Sequence, residues 1–147
     1  MVPQISTVVG VSPRNPSGEP KKSPAMHVLV VDDDRLVRWA VTETLTAEGY
    51  DVTGVGDAKS AMEVCDIPES LADLVLLDLW LPDAVDLRVL SFIRTRFPTT
   101  PVILMTAFGT PDIVDQAVAR GAVVLAKPFD MSHLARVVHR TLRASVA

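Results

Sequence analysis

Two hydrophobic patterns alternate along this chain from residue 26 onward. Short apolar runs, "MHVLVV" (26–31), "YDVTGV" (50–55), "DLVLL" (73–77), "PVILM" (101–105) and "AVVLA" (122–126), read as strands. They are mostly continuous rather than alternating, as expected of strands buried on both faces. Between them the apolar positions fall at helical spacing. In "DRLVRWAVTETLTAEG" (34–49), Leu36, Val37, Ala40, Val41, Thr44 and Leu45 recur at that period, with Asp34 as N-cap and Gly49 as the stop. A short second helix is expected over 58–66. A third should run from Asp86 to Arg96 before Pro98, and a fourth from Pro111 to Gly121. The fifth runs from Met131 to Arg143 with a core stripe of Leu134, Val137, Val138 and Leu142.

Five strand–helix repeats with continuously apolar strands predict an α/β fold: a flavodoxin-like, doubly wound parallel sheet of order 2-1-3-4-5 with five helices. Residues 1–25 hold five of the eleven prolines and no sustained periodicity, so they are expected to be a disordered Pro/Ser-rich leader. The domain then spans 26–144, with 145–147 as a C-terminal tail.

Composition and charge narrow the function. At 147 residues with 48% hydrophobic and 22% charged content, the chain is sized for one globular domain. No apolar run approaches the roughly 18–20 residues of a membrane span, and no secretory signal pattern opens the chain. The single cysteine, Cys65, allows no internal disulfide and reads as a small apolar helix residue; it fits a reducing cytosol. The net charge is −4, and the first 25 residues carry +2, leaving −6 on the remainder. An acidic domain lacks the clustered Lys and Arg that phosphate contacts need, so no direct nucleic-acid contact is expected of it.

Ligands bind such sheets at the carboxyl ends of the strands. Those ends present Asp32 and Asp33, Asp78, Thr106 and Lys127. Three carboxylates on one rim repel and need counter-charge. Lys127 offsets one, and a hard cation such as Mg²⁺ suits a few carboxylates that also hold a phosphate. The set is equipped for phosphoryl transfer onto an aspartate.

At "VLVVDDD" (28–34), "LVLLDLWLPD" (74–83), "VILMTA" (102–107) and "AKPF" (126–129) the chain resembles the receiver domain of bacterial two-component response regulators. The resemblance implies that Asp78 is the phosphoacceptor, Thr106 the switch hydroxyl and Lys127 the phosphoryl-binding lysine. It further implies Mg²⁺ held by Asp33, Asp78 and the backbone carbonyl of Trp80, with Asp32 acting through water. It also implies a cis bond before Pro128. The expected partner is a sensor histidine kinase or phosphotransfer protein, with homodimerisation through helix 4, strand 5 and helix 5. Transcription would be controlled through another domain or partner, in a bacterial cytoplasm. Such a protein is not an enzyme beyond its own self-phosphorylation and self-dephosphorylation. The first helix is similar to activators of the nitrogen-regulation type.

Two positions depart from that family. "AVDL" (84–87) puts Val85 and Asp86 where Asp-Gly is usual, and Asp86 could cap helix three instead. Val124 stands where many receivers carry Tyr or Phe, which shifts the expected output toward helix four and its Ile113, Val114 and Val118. Trp80 and Phe108 are expected to shield the acyl phosphate. Asp83 reads as loop solvation, and Trp39 as packing. His133 and His139, six apart on the last helix, do not read as a shared metal site. Two alternatives stay open: a haloacid-dehalogenase-like phosphatase, from the Asp-x-Asp spacing in "VVDDDRL", and a receiver-like binding module that is not phosphorylated.

Overall fold

The computed structural model describes residues 25–68, 71–84, 86–107 and 110–146. The expected leader, apart from Ala25, and Val85 and Phe108 lie outside these residues. Five strands, β1 (His27–Val31), β2 (Asp51–Val55), β3 (Leu74–Asp78), β4 (Val102–Thr106) and β5 (Val123–Ala126), pair in parallel in the order β2-β1-β3-β4-β5. Five helices alternate with them: α1 (Arg35–Ala47), α2 (Ala58–Cys65), α3 (Arg88–Arg96), α4 (Pro111–Ala119) and α5 (Met131–Val146). The order and count are those expected from the apolar pattern.

Successive strand residues point to opposite faces of the sheet, and here each face has its own core. Leu29, Val31, Val75, Leu77, Val102 and Leu104 pack with α2, α3 and Ala117 of α4. Val28, Val30, Leu74, Leu76, Ile103 and Met105 pack with Val41 and Leu45 of α1 and with the stripe of α5. The strands read as unbroken apolar runs because both sets must be buried. Truncating a fully buried member such as Leu76 or Ile103 to alanine would cost about 2–5 kcal/mol. Cys65 is buried in the first of these layers, and burial, reinforced by Asp66, pushes its thiol up, as befits a packing residue.

Helix ends follow local chemistry. Asp34 Oδ1 accepts from the amides of Leu36 and Val37, and Gly49 and Gly121 take the left-handed φ that stops α1 and α4. Several boundaries differ from the sequence reading. β3 and β4 run one residue further, so Asp78 and Thr106 are strand residues, with Asp78 in register with Met105. α3 begins at Arg88 rather than Asp86, and Asp86 Oδ1 accepts from the Arg88 amide just ahead of it. Among the described residues no non-glycine adopts positive φ, so Asp86 does not imitate the family's glycine. α5 continues to Val146, through most of the segment expected to be a tail, because nothing in "TLRASV" (141–146) breaks a helix.

Candidate phosphoacceptor site

The strand ends bring the expected residues together. Asp32 follows β1, and the Asp32 amide donates to Val55 O at 3.1 Å, which extends the sheet pattern by one residue. Its side chain is fully buried: Oδ1 accepts from the Asp34 amide at 2.9 Å, and Oδ2 accepts from Lys127 Nζ at 2.9 Å. Asp78 is buried at the end of β3, its Oδ1 accepting from the Trp80 amide at 3.1 Å and its Oδ2 lying 3.4 Å from Lys127 Nζ. Asp33 is exposed at the rim. Each of Asp32, Asp33 and Asp78 offers an oxygen within 4.8 Å of the others. Lys127 is carried in by β5, where its amide donates to Thr106 O at 2.8 Å, and the Lys127–Pro128 peptide is cis.

Charge is unbalanced here, three carboxylates to one ammonium. Burial and the neighbouring Asp32 raise the Asp78 carboxyl to about 6, against the opposing pull of the Trp80 amide and Lys127. Burial works against the charge on Lys127, but its bonds to Asp32 and Asp78 outweigh that and hold the ammonium above the ordinary lysine value. A dication would relieve this repulsion, and the all-oxygen donor set suits a hard one. A second group fits as well. Thr106 Oγ1 is buried with no hydrogen-bond partner, a costly state for a hydroxyl unless a ligand arrives to receive it.

The surroundings correct two sequence readings. Asp83 is not simply a solvated loop residue: Oδ1 accepts from the Ala58 amide at 2.8 Å and Oδ2 from the Lys59 amide at 3.0 Å. It thus caps α2 from the β3–α3 loop, alongside Asp57, which takes the Ser60 amide. The exposed amides of a helix N-terminus attract a carboxylate whatever its place in the chain. Trp39 does not pack inside; it is 61% exposed, with Leu36 at 72% one turn before it on α1. Val37, which lies between them in the chain, joins Ala107, Lys127, Pro128, Phe129 and Met131 in lining an open, largely apolar cavity. Trp80 stands at the rim, 36% exposed. Val124 is half-buried, and of the α4 residues Ile113 packs on the core whereas Val118 is exposed.

Residues 28–139 match the family model described as the response regulator receiver domain. The chain belongs to that family. This receiver domain is 38% identical over 117 residues to the response regulator protein FleR of Pseudomonas aeruginosa, covering 79% of this chain and 24% of that protein. It is 32% identical over 117 residues to the DNA-binding transcriptional regulator NtrC of Proteus hauseri, with 79% and 24% covered. The chain therefore spans about a quarter of the length of either relative. Among solved structures it resembles a CheY-like receiver domain protein from Methanospirillum hungatei, with TM-score 0.79, 22% identity, and 83% of this chain and 97% of that one covered. That last likeness concerns the fold. Receiver domains bind Mg²⁺, which agrees with the acid cluster, and membership displaces the phosphatase reading. No helix among the described residues is long and apolar enough to cross a membrane.

Proposed function

We propose that this receiver domain is a phosphorylation switch in which Asp78 accepts a phosphoryl group from the phosphohistidine of a sensor kinase or phosphotransfer protein. The observation that carries the reading is the convergence of Asp32, Asp33 and Asp78 within 4.8 Å, with Lys127 on two of them. An Asp78 carboxylate oxygen attacks phosphorus, a P–O bond forms as the P–N bond breaks, and the histidine ring leaves with the bonding pair. Asp33, Asp78 and the Trp80 carbonyl would hold Mg²⁺, with Asp32 acting through water. When bound, the metal would neutralise charge on the phosphoryl oxygens. Lys127 binds one of those oxygens, and the Thr106 hydroxyl donates to another, which supplies its missing partner. Trp80 limits access of water to the product.

The exposed Leu36 and Trp39, with the apolar cavity beside Lys127, supply the surface on which the phosphodonor docks. Output passes through α4, β5 and α5, where Val118 and Val123 are 55% and 41% exposed, toward a partner or second copy of the chain. By its likeness to NtrC and FleR the switch serves transcription in a bacterial cytoplasm, with DNA contacted by another domain or protein. Acetyl phosphate with Mg²⁺ tests the reading. One phosphoryl group per chain should appear on wild type and none on Asp78→Asn. Absence of label on wild type would favour a binding module that is not phosphorylated.

A further inference from the structure

Two glycines near the edge of the sheet have no conformational reason to be glycine. Gly54 in β2 and Gly56 just after it do not have positive φ. What they share is a neighbour. A Cβ on Gly54 would lie 3.1 Å from Arg38 Cγ and 3.3 Å from Cδ, and one on Gly56 would lie 3.0 Å from Arg38 Nη1. The Arg38 side chain leaves α1, runs along this lane and donates from Nη1 to the main-chain oxygen of Asp32 at 2.7 Å.

That oxygen belongs to the peptide joining Asp32 to Asp33. The peptide units on either side are tied separately: the Asp32 amide, in the Val31–Asp32 peptide, donates to Val55 O, and the Asp34 amide, in the Asp33–Asp34 peptide, donates to Asp32 Oδ1, which leaves Arg38 to hold the unit between them. The Asp33 nitrogen lies in that plane, so its orientation sets where the exposed Asp33 carboxylate projects. Asp33 has no side-chain bond of its own to hold it among the described residues, unlike Asp32 and Asp78. Outer partners of this kind orient a metal's ligands and tune its affinity.

We infer that Arg38 is a positioning residue for the cation site, holding the Asp32–Asp33 peptide through a lane that Gly54 and Gly56 keep open. The inference rests on the receiver reading of Asp33 as a metal ligand. Arg38 touches neither the metal nor the phosphoryl group; it acts through the backbone.

The test is Mg²⁺ titration by calorimetry of the unphosphorylated protein, beside amide hydrogen exchange at Asp33 and Asp34 without metal. R38A should weaken Mg²⁺ about 10–100-fold, the usual cost of losing an outer partner. G56A should weaken Mg²⁺ in the same direction but by less, with Arg38 intact, because the new methyl crowds Arg38 Nη1 at 3.0 Å and the guanidinium must give way from the Asp32 oxygen. Exchange at Asp33 and Asp34 should quicken in both while the thermal melt stays cooperative. Should R38A fail to fold, G56A carries the test alone. Wild-type Mg²⁺ affinity in well-folded G56A and R38A overturns the inference. A wild-type protein that binds no Mg²⁺ overturns the receiver reading itself, and this inference with it.

Discussion

The Lys127 ammonium is anchored on Asp32, 2.9 Å from its buried Oδ2. The contact with Asp78 is longer, at 3.4 Å. Asp78 is therefore only partly compensated, and its carboxyl titrates near 6 because burial and the Asp32 charge both oppose ionisation. Asp32→Asn removes the like charge and frees Lys127 for Asp78. The Asp78 midpoint should fall toward the ordinary carboxylate range, read by carbon NMR of labelled aspartate in metal-free protein. An unmoved midpoint would show that burial alone sets it.

The same shift makes stability depend on pH. A carboxyl raised in the folded state favours folding when protonated, so its contribution is present below the unfolded value near 4 and is lost as pH rises through about 6. Asp78→Asn escapes that loss. In metal-free protein at pH 7 it should be more stable than wild type by roughly 1–3 kcal/mol. The gain should vanish below pH 4 in denaturant titrations. Equal stability at pH 7 would mean the carboxylate is better solvated than its burial implies.

Thr106 offers the cleanest separation of chemistry from response. Its orphan hydroxyl destabilises the ligand-free fold, and Thr106→Val has the same shape without it. The variant should gain about 1 kcal/mol in stability. It should still take label on Asp78, yet show a diminished change in α4 amide exchange when beryllofluoride is added. A full α4 response would remove Thr106 from the signal path.

Leu36 and Trp39 stand exposed on α1, and neither belongs to the acid cluster of Asp32, Asp33 and Asp78. Trp39→Ala should therefore slow phosphotransfer from a phosphorylated kinase domain about 10-fold or more, the effect of losing an aromatic docking anchor. Labelling by acetyl phosphate, which needs no docking surface, should be unchanged. Equal loss with both donors would place the defect in the site rather than the surface.

Asp83 joins the loop after β3 to the start of α2, and its bonds to the Ala58 and Lys59 amides hold its carboxyl below the ordinary range. A depressed carboxyl stabilises the fold above its unfolded pKa and ceases to as pH falls through the folded one. Asp83→Ala should lower Tm at pH 7, and the difference from wild type should close in acid. A constant difference at all pH values would point to packing instead of the cap.

The sequence by itself determined the fold and which polar residues gather at the strand ends as a candidate site. Strands buried on both faces must be apolar throughout, so a polar residue at a strand's carboxyl end stands out, and Asp32, Asp33, Asp78, Thr106 and Lys127 were all legible on that ground. Asp34 and Gly49 were legible too, because a cap and a left-handed stop act within a few residues. What only the tertiary structure decided are contacts with no local signature. Asp83 looks like any loop aspartate until folding sets it against α2, 25 residues back in the chain. α1 carries more apolar residues than one face can bury, and docking on the sheet chose Val41 and Leu45, leaving Trp39 in solvent. The space at Gly54 and Gly56 acquires meaning only when α1 lays Arg38 across it. Local pattern fixes which residues reach the rim; the rotation of each helix on the sheet decides what supports them there.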